Sequence, residues 1–193
     1  MITTITISRQ LGSQGCEIAR LVSDRLGYKM VWRDLINQAA RRSNTPEMAL
    51  ATIDELGLLG LRPSPEERRA YHQEVRKVMK ELARVGQVVI IGRAGQAILA
   101  DEKGVMHVRL IAPEEIRRER IASRKGVSLS AAAEQVKASD RSRRNYCRRN
   151  YHIDWDDPTL YDLVLNTGQL SPAEAAEVIY QTIQTRNRGN ADQ

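Results

Sequence analysis

The 193-residue chain has only two cysteines, Cys16 and Cys147, far apart and without metal-ligand spacing. That scarcity fits free thiols in a reducing cytoplasm, the expected location, better than a disulfide scaffold. No apolar run approaches the roughly 20 residues that a membrane span needs, so no membrane-spanning segment is expected. The start, MITTITISRQ, has no basic flank leading into a long apolar stretch and no small-residue cleavage pattern, so no secretory signal is expected. His72, His107 and His152 are scattered, and no metal site is expected from them. Internal repeats, low-complexity segments and Pro/Gly-rich linkers are all missing, and at this length one domain spanning 1–193 is expected.

What is present is ordinary for a globular chain: 41% hydrophobic and 28% charged residues. Thirty Lys and Arg against 24 Asp and Glu give a formal charge of +6. A mild excess of this kind suits phosphorylated small molecules as well as nucleic acid, so its location matters more than its total. Part of it is concentrated in RSRRNYCRR, residues 141–149, with five arginines. Such a run reads either as a solvated helix face or as a site.

Residues 3–8 alternate threonine with isoleucine, a strand pattern. Gly12 and Gly15 break it, and 17–26 then places Ile18, Ala19, Val22 and Leu26 on one helical face. A short strand around Met30 and Val31 and a helix over 34–41 follow. Thr45 and Ser64 each precede a proline and first-turn acids, the pattern of helix caps, and predict two more helices. The second runs to Val85 and stops at Gly86. Val88–Ile91, 106–111 and 162–165 are further strand candidates, each separated from the next by helical sequence, which predicts a parallel sheet. Ser171, Pro172 and Glu174 open a last helix to about Thr185, with a frayed tail RNRGNADQ.

The stretch SRQLGSQGCE sits between the first strand and the first helix, where a phosphate-binding loop belongs. Such a loop works because backbone N–H groups, freed by glycine, wrap phosphate oxygens at a helix start whose dipole favours anions. Gly12, Ser13, Gln14 and Gly15 can supply those groups. In the usual spacing a lysine reaches the β and γ phosphates and a hydroxyl binds Mg²⁺. Aligning Gly15 with the last glycine puts Gln10 at the first glycine, Cys16 at the lysine and Glu17 at the hydroxyl. Glu17 could coordinate Mg²⁺ or face outward as a first-turn acid. A tight strand-to-helix turn is the alternative reading of the two glycines.

Phosphoryl transfer depends on cations around the transferred group, so other residues must supply the charge. Arg9 enters the loop. Arg93 follows the strand VVIIG, at the end of a parallel strand where ligands bind in open α/β sheets. Arg141, Arg144 and Arg148 recur at helical spacing and share a face. Arg117, Arg120 and Arg124 do the same on the preceding segment, either as solvated charge or as part of a site. Trp32 and Trp155 read as packing residues, although Trp32 could stack on a base. DWDD at 154–157 reads as a turn before Pro158.

Taken together, ITISRQLGSQG, LGYKMVWRDLI, VVIIGRAGQAIL, MHVRLIAPEEIRRERI and SDRSRRNYCRRNYHIDWDDPTLYDLVLNTGQLS resemble the cytidylate kinase-like family of the P-loop nucleoside monophosphate kinase fold. The likeness covers nearly the whole chain. It implies a three-layer α/β/α core with a five-stranded parallel sheet, an acceptor-binding insertion over about 32–86, and a helical lid with an arginine-rich helix over about 113–151. It also implies ATP and Mg²⁺ as cofactors, with nucleotides rather than nucleic acid as partners. The family's G-R-D motif is matched at Gly92 and Arg93, with Ala94 in place of the acid. That resemblance gives catalytic roles to Arg93, Arg144 and Arg148, and donor-phosphate roles to Arg9 and residues 12–17, that is Gly12, Ser13, Gln14, Gly15, Cys16 and Glu17. Acceptor roles fall to Arg93, Arg33, Asp34, Asp140 and Arg141. The expected function is ATP-dependent transfer of the γ-phosphoryl group to a nucleoside monophosphate or a similar small acceptor. A non-catalytic nucleotide-binding sensor is the alternative, and RNA binding through 141–149 is a third reading.

Overall fold

A computed structural model describes residues 1–44 and 63–189. Five strands, β1 (Thr4–Arg9), β2 (Lys29–Val31), β3 (Val88–Ile91), β4 (Val105–Ile111) and β5 (Leu163–Asn166), form one sheet in the order β2-β3-β1-β4-β5. Every pairing is parallel, with Ile5 opposite Val89 on one side and Met106 on the other. β1 is central and all six of its residues are buried, which is why TITISR carries β-branched side chains on both faces. The helices are α1 (Gly15–Leu26), α2 (Arg33–Arg42), α3 (Pro65–Val85), α4 (Gly95–Ile98), α5 (Glu114–Lys125), α6 (Leu129–Tyr151) and α7 (Pro172–Gly189).

The two faces of the sheet differ in chemistry. One packs Ile5, Ile7, Val108 and Leu110 against Ile18 and Val22 of α1 and Ile179 and Ile183 of α7. The other packs Val31, Val88 and Ile90 under Leu35 and Ala39 of α2 and Tyr71, Val75 and Met79 of α3. Helices on both faces of a parallel sheet make the three-layer α/β/α arrangement that the alternation of elements predicts. Nearer β4 the second face turns polar: Thr6 meets His107 at 2.6 Å, and the Trp155 indole N–H donates to Ser8 Oγ at 2.8 Å.

Local sequence explains the helix ends. Ser64 and Glu67 form a reciprocal capping box at α3, as expected, and Ser128 caps α6 by accepting from the Ala131 N–H. Gly126 ends α5 at φ 64° and separates it from α6. The expected helix after Thr45 lies outside the described residues. Two boundaries need correction. α1 begins at Gly15 rather than 17, because Gln14 at φ 57° turns the loop directly into the helix. α7 continues through the expected frayed tail to Gly189: Asn187 bonds both the N–H and the carbonyl of Ile2, and Arg186 pairs with Asp162 at 2.6 Å. These contacts join opposite ends of the chain, so no local pattern announces them. Among the described residues no helix is long and apolar enough to cross a membrane.

For the site, the consequence is geometric. The chain leaves β1 at Arg9, β3 at Gly92 and β4 at Ala112 on the same edge, the carboxyl edge where open α/β sheets bind ligands.

Candidate active site

The loop after β1 is shaped by the helix above it. Gly12 has φ 85°, and a Cβ there would lie 2.7 Å from the carbonyl oxygen and 2.9 Å from the Cα of Arg117 in α5. Backbone cannot give way, so only glycine fits. At Gly15 a Cβ would meet the Arg9 Cβ at 2.7 Å. The buried Ser13 hydroxyl donates to the Gln10 carbonyl at 2.9 Å, and the Gln10 side chain accepts from the Ala112 N–H at 3.0 Å.

The carbonyls of Leu11, Gly12 and Ser13 are engaged by α5 and by Thr167. Arg117 donates to Leu11 at 3.3 Å, Arg120 donates to Gly12 at 3.3 Å and to Thr167 at 2.7 Å, and the Thr167 hydroxyl donates to the Ser13 carbonyl at 3.1 Å. The N–H groups of Gly12, Gln14, Gly15 and Cys16 have no hydrogen-bond partner among the described residues, and the last of them begin α1. Uncapped N–H groups at a helix start form an anion site.

Cations surround that site. Arg9 is 9% exposed, and its side chain runs past Gly15 to end against Gly92, where a Cβ would lie 2.6 Å from Nη1. Its guanidinium stands 5.7 Å from the Trp32 ring centre and pairs with no carboxylate among the described residues. Gly92, Arg93 and Ala94 have φ of 76°, 57° and 55°, three left-handed residues in succession. For the two that are not glycine this costs on the order of 1–3 kcal/mol each. That strained turn presents the half-buried Arg93 guanidinium 5.1 Å from the Tyr146 ring, again without a carboxylate partner among the described residues.

Above the loop, α5 and α6 are joined by a buried ion pair, Arg117 to Asp140 at 2.9 Å, with side-chain exposures of 6% and 7%. Farther along, Asp156 accepts from buried Arg109 of β4 and from Arg144 of α6, and Arg109 lies 4.1 Å over the Trp155 ring.

A family model described as the cytidylate kinase-like family matches residues 4–169. The chain belongs to the cytidylate kinase-like family. It is 26% identical over 184 residues to a cytidylate kinase of Archaeoglobus fulgidus, covering 94% of this chain and 95% of that one. A cytidylate kinase of Sulfolobus acidocaldarius is 29% identical over 188 residues, covering 97% of each. The fold is shared with a crystal structure of an uncharacterized protein from Eubacterium ventriosum, with a TM-score of 0.75 at 19% identity, covering 95% of this chain and 99% of that one.

Within this cytidylate kinase-like chain the expected site residues divide into two groups. Arg9, the loop from Gly12 to Glu17 and Arg93 are brought together at the carboxyl edge of the sheet. Cys16 and Glu17 both point out to solvent, and Glu17 is a first-turn acid of α1. Asp140 is buried, with Oδ2 on Arg117 and Oδ1 without a hydrogen-bond partner among the described residues. Arg144 is held by Asp156, while Arg141 and Arg148 are exposed on α6. Arg33 and Asp34 open α2, and their side chains lie outside the described residues. Arg117 and Arg120 are not solvated charge; they bind the loop. Sequence reasoning missed Arg109, Asp156 and Thr167. Arg109 had one signal, a charge within a strand of a parallel sheet, whose two faces are both covered by helices.

His72 was also passed over. It lies between Tyr71 and Tyr146, at ring-centre distances of 5.6 and 5.5 Å. Burial, reinforced by Arg93, Arg76 and Arg68, lowers its pKa to about 4 from the ordinary 6.5. As pH falls below 6.5 the unfolded chain therefore takes up a proton that the folded protein refuses until about pH 4. Stability declines through that window, by roughly 2–3 kcal/mol from this residue. Urea midpoints of wild type and His72→Gln, compared at pH 7 and pH 4.5, should show the variant losing less than wild type on acidification. Equal losses would show that His72 is not held neutral.

Proposed function

We propose that this protein is an ATP-dependent phosphotransferase that moves the γ-phosphoryl group to a nucleoside monophosphate or a similar small phosphate acceptor. The observation that carries this is Arg9: a buried guanidinium without a carboxylate partner among the described residues, spanning from the start of α1 to the Arg93 turn. A charge that deep is expensive without a counterion, and a transferring phosphoryl group is the counterion that fits between an anion-binding loop and an acceptor-binding arginine.

In this reading the amides of Gly12 to Cys16 take the donor phosphates, and Arg9 does from below what the loop lysine does elsewhere. Arg93 takes the acceptor phosphate. An oxygen of that phosphate attacks the γ-phosphorus, the bond from the γ-phosphorus to the β–γ bridging oxygen breaks, and ADP leaves with the electron pair. The attacking oxygen is already anionic, so no general base is needed and positioning with charge stabilisation suffices. Mg²⁺ accompanies ATP and neutralises part of its charge. The exposed Glu17 carboxylate, at the position of the usual hydroxyl, is a hard oxygen ligand suited to that ion. Arg117, Arg120 and Asp140 position the loop, and Arg144 is available from the lid once Asp156 releases it.

Cys16 at the lysine position favours one competing reading, a sensor that binds nucleotide without turnover. Incubation of the protein with Mg·ATP and each common nucleoside monophosphate in turn, with chromatographic detection of products, separates the two. The phosphotransferase reading predicts ADP and a diphosphate of one acceptor in equal amounts. Bound ATP with no ADP formed from any acceptor would favour the sensor.

A further inference from the structure

One cluster of aromatic and basic side chains extends away from the reacting centre. Tyr146 and Tyr151 of α6 lie 5.8 Å apart between ring centres, with their hydroxyls 3.5 Å from each other. His72 of α3 is 3.5 Å from the Tyr146 hydroxyl. Arg93 stands on Tyr146 at one end, and Arg76 of α3 stands on Tyr151 at the other, at 5.0 Å.

The charges in this cluster are all of one sign. Arg68, Arg76 and Arg93 each act on His72 strongly enough to oppose its protonation. None of the three pairs with a carboxylate among the described residues. Three of the four acids of α3 are committed elsewhere, Glu67 to the Ser64 cap, Glu74 to Lys77 and Glu81 to Arg42, and the fourth, Glu66, is an exposed first-turn acid that forms no ion pair with these arginines. Like charges gathered on half-buried rings repel one another, and a bound anion relieves that repulsion. One phosphate does not satisfy the whole set. Arg9 and Arg93 meet at Gly92, where donor and acceptor phosphates would approach each other, whereas Arg76 is separated from Arg93 by the pair of tyrosines.

Building on the phosphotransferase reading, we propose that the acceptor carries two anionic groups: a phosphate taken by Arg93, and a second phosphate or carboxylate taken by Arg76 beside Tyr151. The aromatic floor of Tyr146 and Tyr151 lies under the part of the molecule that joins them.

Equilibrium binding tests this without needing turnover. Two matched pairs of probes differ only in the second group: CMP against cytidine 3′,5′-bisphosphate for a phosphate, and glycerol 3-phosphate against 3-phosphoglycerate for a carboxylate. In wild type the doubly anionic member of at least one pair should bind about tenfold tighter, the scale of one charge-assisted hydrogen bond. Arg76→Gln should remove that gain while changing the affinity of the singly anionic member less than about twofold, and Arg76→Lys should restore part of it. Which pair responds tells phosphate from carboxylate. Arg76 is exposed, so both variants should fold like wild type. Absence of a gain in both pairs, or a gain that survives Arg76→Gln, would overturn the proposal. The phosphotransferase reading fails separately: no transfer to any acceptor, with the Arg76-dependent gain intact, would leave a two-anion binding site on a protein that is not a kinase.

Discussion

Replacing Arg93 by alanine should lower phosphoryl transfer by about a thousandfold while leaving Mg·ATP affinity within a few-fold of wild type. The first half follows from the scale on which a single arginine stabilises a phosphoryl-transfer transition state, roughly 10³ to 10⁵ in rate. The second follows from position. Arg93 sits on the strained turn after β3, whereas in the proposed arrangement the donor phosphates are taken by the amides of Gly12 to Cys16 and by Arg9. Arg93→Lys keeps the charge but loses the two-pronged geometry, and should fall between wild type and alanine. Little folding energy is at stake, because the Arg93 side chain packs on the Tyr146 ring, a contact worth about 1 kcal/mol at a partly exposed site. Single-turnover kinetics with a parallel ATP titration checks both halves. An Arg93→Ala enzyme that transfers at wild-type rate would remove Arg93 from the reaction.

The second large effect is on stability. Asp140→Ala should destabilise the protein by about 3–5 kcal/mol, since it leaves the Arg117 guanidinium buried without its counterion. Arg117 also donates to the carbonyls of Leu11 and Ala112, so the cost falls on the contact between lid and loop and not on α6 alone. The double variant Arg117→Met/Asp140→Leu should recover much of the loss, because replacing both partners leaves no uncompensated charge. Urea denaturation of the three proteins measures this. If Asp140→Ala matched wild type, the ion pair could not be what couples the two lid helices to the loop.

The sheet was legible because its strands are short apolar runs separated by helical sequence, with the β-branched TITI and VVII the clearest. The loop was legible too: Gly12 and Gly15 sit at the two places where a Cβ has no room. Arginine pairing was not legible. Arg117 and Asp140 are 23 residues apart, and Arg109 and Asp156 are 47 apart, and nothing local distinguishes a buried guanidinium from a solvated one. RRERIASR read equally as solvated charge or as part of a site, and only the packing of α5 on Gly12 decides it for Arg117 and Arg120. DWDD read as a turn, correctly for Asp157, which caps the short 3-10 helix at Pro158–Leu160, but the same stretch supplies the carboxylate that holds Arg109 and Arg144. The surroundings of Asp140 were hidden for a related reason: a carboxylate in an arginine-rich motif looks solvated, and only the packing of α5 on α6 shows that it is buried with one oxygen on Arg117.

In the proposed reaction a buried arginine at the end of β1 does the work of the missing loop lysine. This role is tested by single-turnover transfer from γ-labelled Mg·ATP by wild type and Arg9→Ala side by side, using the acceptor found in the product screen. Wild type should transfer label without any lysine at position 16, and Arg9→Ala, still folded, should be slower by about a hundredfold or more. Equal transfer by the two proteins, or bound ATP with no transfer by either, would contradict it.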